Sequence, residues 1–232
     1  VRTNKERVKI MIDPGNYEEM LVVDVDSVSL INASSSPSIS LLNQGVGIDG
    51  NAVRITSYYG HGYNYYSMGT NQRWSADALA VNTENGYVGY VNAGAGTTNN
   101  SYWNATVLVS AAGFEAYDII FENSFNQYVS KKESEDVVVE WTSDGKGTRP
   151  VTLGSTAVQN KSFVERAAAI AYTKGGDKSI LYKCRVVGRQ DSFFGAGGAR
   201  VVAYKGSLMG GTDYIFGGMT LTCYMSDLAM NT

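Results

Sequence analysis

A phrase that returns in register constrains this chain more than any other feature. Tyr182-Lys183-Cys184-Arg185-Val186-Val187-Gly188-Arg189-Gln190-Asp191-Ser192-Phe193-Phe194 comes back 22 residues later as Tyr204-Lys205-Gly206-Ser207-Leu208-Met209-Gly210-Gly211-Thr212-Asp213-Tyr214-Ile215-Phe216. A period of that size, written in short β-rich runs without helical spacing, predicts a coiled solenoid in which each repeat packs on the next. Asp191 and Asp213 then become stacked neighbours, about 4.7–4.9 Å apart along the stack. Two carboxylates that close repel as charges, so one is expected to hold its proton near neutral pH. The pair predicts an acid beside a nucleophile or base.

At 232 residues the chain suffices for a single solenoid domain over 1–232, with no second domain required. Charged residues make up 18% and the net charge is −3, which argues against nucleic acid or an anionic membrane as partner. No apolar run approaches the roughly 20 residues needed to cross a bilayer. The chain starts at Val1 without an apolar leader and is expected to be a piece of a longer protein. Cys184 and Cys223 match no metal motif and are read as two buried thiols rather than a pair across adjacent coils. The single histidine, His61, stands far from the paired acids. A Ser-His-Asp triad and zinc catalysis are therefore both disfavoured, and carboxylates are left to carry any chemistry.

Alternating or β-branched runs predict strands at Val8 to Ile12, Leu21 to Val25, Val28 to Ile31, Val53 to Thr56, Thr106 to Val109, Ile119 to Phe121, Val137 to Val139, Ile180 to Val187 and Arg200 to Ala203. The Ala-rich stretch Phe163 to Tyr172 is read as strand. Two segments break the pattern, about 43–102 and about 126–162, and are expected to be insertions on one face of the solenoid. The first carries the tyrosine-rich run Tyr58 to Tyr66, which suits sugar stacking or a loop folded on its own tyrosines. The second carries Lys131-Lys132-Glu133-Ser134-Glu135-Asp136, read as a solvated loop. Gly94-Ala95-Gly96 and Gly195-Ala196-Gly197-Gly198 lack the spacing of a nucleotide-binding loop and are read as turns.

Several of these residues resemble one family. Gly188-Arg189-Gln190-Asp191-Ser192-Phe193-Phe194 is similar to the Gly-x-Gln-Asp-Thr-Leu-Tyr motif of pectin methylesterases, and Gly210-Gly211-Thr212-Asp213-Tyr214-Ile215-Phe216-Gly217 to their Gly-x-Val-Asp-Phe-Ile-Phe-Gly. Upstream, Ile12-Asp13-Pro14-Gly15-Asn16-Tyr17-Glu18-Glu19, Ala105-Thr106-Val107 and Gly113-Phe114-Glu115-Ala116-Tyr117-Asp118-Ile119-Ile120-Phe121-Glu122-Asn123-Ser124 resemble further family segments. The resemblance implies an all-β, right-handed parallel β-helix. It implies a secreted, monomeric enzyme that hydrolyses the C6 methyl esters of galacturonate units in pectin with no metal and no cofactor.

Carried over by position, the resemblance makes Asp213 the nucleophile, Asp191 the general acid and then base, and Gln190 a donor to the oxyanion. It makes Phe194 and Phe216 walls of the sugar subsites. Where the family has the first residue of Gln-Ala-Val-Ala-Leu, this chain reads Glu165-Arg166-Ala167-Ala168-Ala169-Ile170, so Arg166, in preference to Glu165, takes that place. Arg166 could then hold the oxyanion, lower the pKa of Asp191 or simply form a salt bridge. The family's later Gly-Arg-Pro-Trp segment, whose arginine orients the nucleophile, has no counterpart before Thr232. The other readings are a different β-helix hydrolase acting on polyuronates or thioesters, and a carbohydrate-binding β-helix without catalysis.

Overall fold

The computed structural model describes residues 6–58, 105–135, 140–141, 147–148, 152–158 and 168–230. The runs of alternating residues form very short strands, and each strand finds its partners one coil away rather than next in sequence. The first sheet stacks β1 (Val8–Ile12), β4 (Val28–Asn32), β9 (Glu115–Tyr117), β14 (Ser179–Tyr182), β17 (Arg200–Tyr204) and β20 (Thr220–Tyr224) in that order. The second stacks β2 (Gly15–Glu18), β7 (Val53–Ser57), β10 (Ile119–Asn123), β15 (Arg185–Val187), β18 (Ser207–Gly210) and β21 (Asp227–Met230). The third stacks β3 (Leu21–Val23), β8 (Val107–Val109), β13 (Ile170–Tyr172), β16 (Phe193–Gly195) and β19 (Ile215–Gly217). All these pairings are parallel and the chain visits the sheets in rotation, which makes a right-handed parallel β-helix. Two small antiparallel pairs lie outside it, β5 (Leu41–Leu42) with β6 (Gly47–Ile48) and β11 (Glu140–Trp141) with β12 (Gly147–Thr148).

Register explains the core. Every second residue of each strand points inward, and in-register stacking lines these residues into columns. Ile55, Phe121, Val186 and Leu208 form one on the second sheet. Leu30, Ala116, Leu181 and Ala203 form another on the first. Val107, Ile170 and Phe193 face them from the third, and all of these are buried. The corners between the first and second sheets are made by one residue in the left-handed region, Asp118, Lys183, Lys205 and Met225, with φ of 57°, 51°, 57° and 51°. Lys183 therefore breaks the predicted run Ile180 to Val187 into β14 and β15.

Of segment 43–102, the described part contributes β7 to the second sheet; of 126–162, it contributes a short helix, α1 (Lys131–Ser134). This charged run is thus not simply a solvated loop. Ser130 caps the helix by accepting from the Glu133 N–H at 3.3 Å, and Glu133 is buried. Glu18, at the end of β2, accepts from the Ser130 hydroxyl and from the Lys132 N–H, which ties the helix to the coil. The two long links, β7 to β8 and β10 to β13, leave and rejoin the solenoid at one corner, between the second and third sheets.

One expectation is corrected. Cys184 is buried, but Cys223 is exposed. Cys223 continues the inward column after Ala203, yet β20 is the last described strand of its sheet, so no described coil covers it. The two thiols are free and unpaired with each other. Burial pushes the Cys184 thiol up to about 12, which keeps it an unreactive packing residue.

Candidate active site

The corner between the second and third sheets is where the two aspartates sit. In one coil β15 runs through 188–192 into β16; in the next, β18 runs through 211–214 into β19. The corners are stitched together residue by residue. Gly188 N–H donates to the Met209 carbonyl at 3.2 Å, Asp191 N–H to the Thr212 carbonyl at 3.1 Å, and Phe193 N–H to the Tyr214 carbonyl at 2.9 Å. In return Gly211 N–H donates to the Arg189 carbonyl at 2.9 Å. Asp191 and Asp213 occupy equivalent places with near-identical backbone, φ 55° and 52° in the left-handed region. A non-glycine residue there costs roughly 1–2 kcal/mol, which short polar side chains tolerate best. The same strained turn used twice is what puts both carboxylates at one corner.

Their surroundings differ. Asp191 is buried at 4% exposure, whereas Asp213 is open to solvent. Gln190 is half-buried, and its Oε1 is shielded without a hydrogen-bond partner among the described residues. The carbonyl end of that amide is not committed to the framework. The corner is kept tight by two glycines: a Cβ on Gly188 would run into the Ser192 side chain, and one on Gly210 would stand 2.6 Å from Ser192 Oγ and collide with Tyr214. Ser192 fills the slot between them, buried, and sequence reasoning gave it no role because a lone serine carries no signal of its own.

Beside the corner, the outer face of the third sheet is apolar. Val22, Leu108, Ala171, Phe194 and Phe216 form one outward column across five coils. Ala105 and Ala168 pack with Leu108 and Ala171, and Phe194 leans on this group. The Phe194 and Phe216 rings, the two nearest the aspartates in sequence, lie 5.0 Å apart with a 53° tilt, an arrangement favourable for paired aromatics.

Two coils back, the same corner is fastened by buried polar groups. The Ser57 and Thr106 hydroxyls pair at 2.7 Å, and Thr106 Oγ1 donates to the Glu122 carbonyl at 2.8 Å. The Glu122 carboxylate accepts from Tyr128 OH at 2.6 Å and Thr56 Oγ1 at 2.9 Å and faces Arg54 at 3.5 Å. Burial raises the Glu122 pKa, outweighing Arg54 and these hydrogen bonds. The clasp joins the strand ends between which the long links run.

The structure thus brings Gln190, Asp191, Asp213, Phe194 and Phe216 to one corner and the adjoining sheet face. Arg166, Glu165, His61, Val137 to Val139 and nearly all of the tyrosine-rich run lie outside the described residues. Tyr58, the first of that run, is buried. Among the described residues no group of three or more His, Cys, Asp or Glu side chains is placed to hold a metal ion, and no helix is long and apolar enough to cross a membrane.

By comparison the chain is similar to pectin methylesterases. In sequence the chain is 25% identical over 215 residues to pectinesterase QRT1 of Arabidopsis thaliana, a match over 93% of this chain and 37% of that one. In structure it resembles the pectin methylesterase from Yersinia enterocolitica, with a TM-score of 0.58, 18% identity, and coverage of 97% of this chain and 50% of that one. It also resembles a pectin methylesterase solved in complex with a hexasaccharide, with a TM-score of 0.57, 19% identity, and coverage of 96% and 46%. No family model matches the chain. The chain spans about a third of the plant relative's length and about half of each solved structure.

Proposed function

We propose that this chain is part of a pectin methylesterase that hydrolyses the C6 methyl esters of galacturonate units, leaving carboxylates and methanol. The observation that supports it most is the in-register repetition of one strained corner, which sets Asp191 and Asp213 on adjacent coils. Asp213, exposed and reachable by a polymer, attacks the ester carbonyl carbon. Gln190 donates to the oxyanion of the tetrahedral intermediate from its amide nitrogen, the oxygen end being turned into the protein. Asp191 gives its proton to the departing methoxide, which leaves as methanol. It then takes a proton from water as that water attacks the acyl group and frees Asp213. Asp191 is buried beside its exposed partner, and the reading requires it to begin the cycle protonated. Phe194 and Phe216 offer faces to the apolar sides of sugar rings, and Arg166 adds a cation to the site. The enzyme works as a secreted monomer on pectin, and it needs no metal or cofactor because the two carboxylates divide the work between them.

The test is methanol release from methylated pectin by the full-length protein, with polymer length followed in parallel. Methanol with unchanged chain length is expected. New reducing ends without methanol would point to glycosidic cleavage, and pectin binding without methanol to a non-catalytic carbohydrate-binding role; either result overturns the reading.

A further inference from the structure

Two shielded polar atoms at the aspartate corner have no hydrogen-bond partner among the described residues, and they complement each other. One is Gln190 Oε1, an acceptor; the other is Ser192 Oγ, a hydroxyl with a proton to donate. They stand on either side of Asp191 in one tight turn. Ser192 is 1% exposed, and its backbone is fixed on two sides. Its carbonyl accepts from the Ala169 N–H at 2.8 Å, and the next N–H, of Phe193, donates to the Tyr214 carbonyl at 2.9 Å.

Room for the hydroxyl is made by glycines on two different coils. A Cβ on Gly188 would run into Ser192 Oγ, and one on Gly210 would stand 2.6 Å from it. The slot therefore lies between the coil that carries Gln190 and the coil that carries Asp213. A buried hydroxyl without a protein partner gives the framework nothing and costs it the lost contact with water, so its role has to be sought in what it holds.

We propose that Ser192 is a positioning residue for Gln190: one buried water joins the Ser192 hydroxyl to Gln190 Oε1 and tethers the inner end of the amide, so that its nitrogen is already aimed at the ester oxygen when pectin arrives. Buried waters serve polar groups of this kind, which the protein leaves unpaired. A donor fixed before the reaction stabilises the oxyanion without reorganising, and that gain appears in kcat. Ser192 touches neither substrate nor reacting atoms and acts only through Gln190. The inference rests on the reading of this corner as the site of ester hydrolysis.

The test is methanol release from methylated pectin by the full-length protein with Ser192→Ala, and with Ser192→Thr against Ser192→Val, two changes of equal size that differ in the hydroxyl. Ser192→Ala and Ser192→Val should lower kcat about tenfold with KM little changed, and Ser192→Thr should keep most of the wild-type kcat. Ser192→Ala should denature no earlier than the wild type, since it removes an unpaired buried hydroxyl. Added to Gln190→Ala, it should slow the enzyme no further, because a residue that acts through Gln190 then has nothing left to position. A wild-type kcat in Ser192→Ala, equal losses in Ser192→Thr and Ser192→Val, or losses that multiply in the double variant each overturn the proposal. Failure of the esterase reading shows separately, as no methanol from the wild type.

Discussion

At the scale of single residues, what decides function is which polar groups are tied down and which are not. Gln190 is one whose amide oxygen is shielded and uncommitted, so Gln190→Ala should leave the fold intact and lower kcat for methanol release about a hundredfold, with KM little changed. An unchanged kcat would remove Gln190 from the chemistry. Glu122 is the opposite case, fully engaged and buried. Because its folded pKa is raised above the value of 4.5 it would have in an open chain, the folded state binds its proton more tightly. Its contribution to stability is therefore fullest below pH 4.5 and is lost as pH rises through the raised folded value. Glu122→Gln should flatten that decline, read as urea midpoints across a pH series; parallel slopes for variant and wild type would contradict it.

At the scale of elements, each strand is too short to be stable alone and exists because the next coil repeats it. Tyr117, Tyr182, Tyr204 and Tyr224 show this on the outer face of the first sheet, with successive ring centroids 5.9, 5.3 and 5.4 Å apart. Tyr204 has a ring on each side, so Tyr204→Ala removes two aromatic pairs and should cost about 1–3 kcal/mol. A denaturation midpoint equal to wild type would show that the ladder is ornament. The repeat in the sequence announced these columns, because in-register stacking demands the same residue type every coil. It also announced the aspartate corner. What it could not announce were three-residue strands such as β9, β16 and β19, which are shorter than any periodic signal. Nor did it reveal the left-handed break at Lys183 inside an apparently continuous β run. Cys223 was misjudged because whether an inward position is covered depends on the next coil and not on the residue.

At the scale of the whole molecule, the solenoid supplies a rigid line of equivalent corners, and two consecutive ones carry an aspartate. The long links enter and leave at that same corner. Chemistry that depends on two coils at once should fail as a unit. The most direct measurement is methanol release by the full-length protein with Asp191→Asn, with Asp213→Asn and with both together. Each single change should lower kcat by at least about a thousandfold, and the double variant should fall little further than the worse single one, since residues that act as a unit lose their effect together. Retention of substantial activity by either single variant, or losses that multiply in the double, would contradict the claim that the two corner aspartates form one catalytic pair.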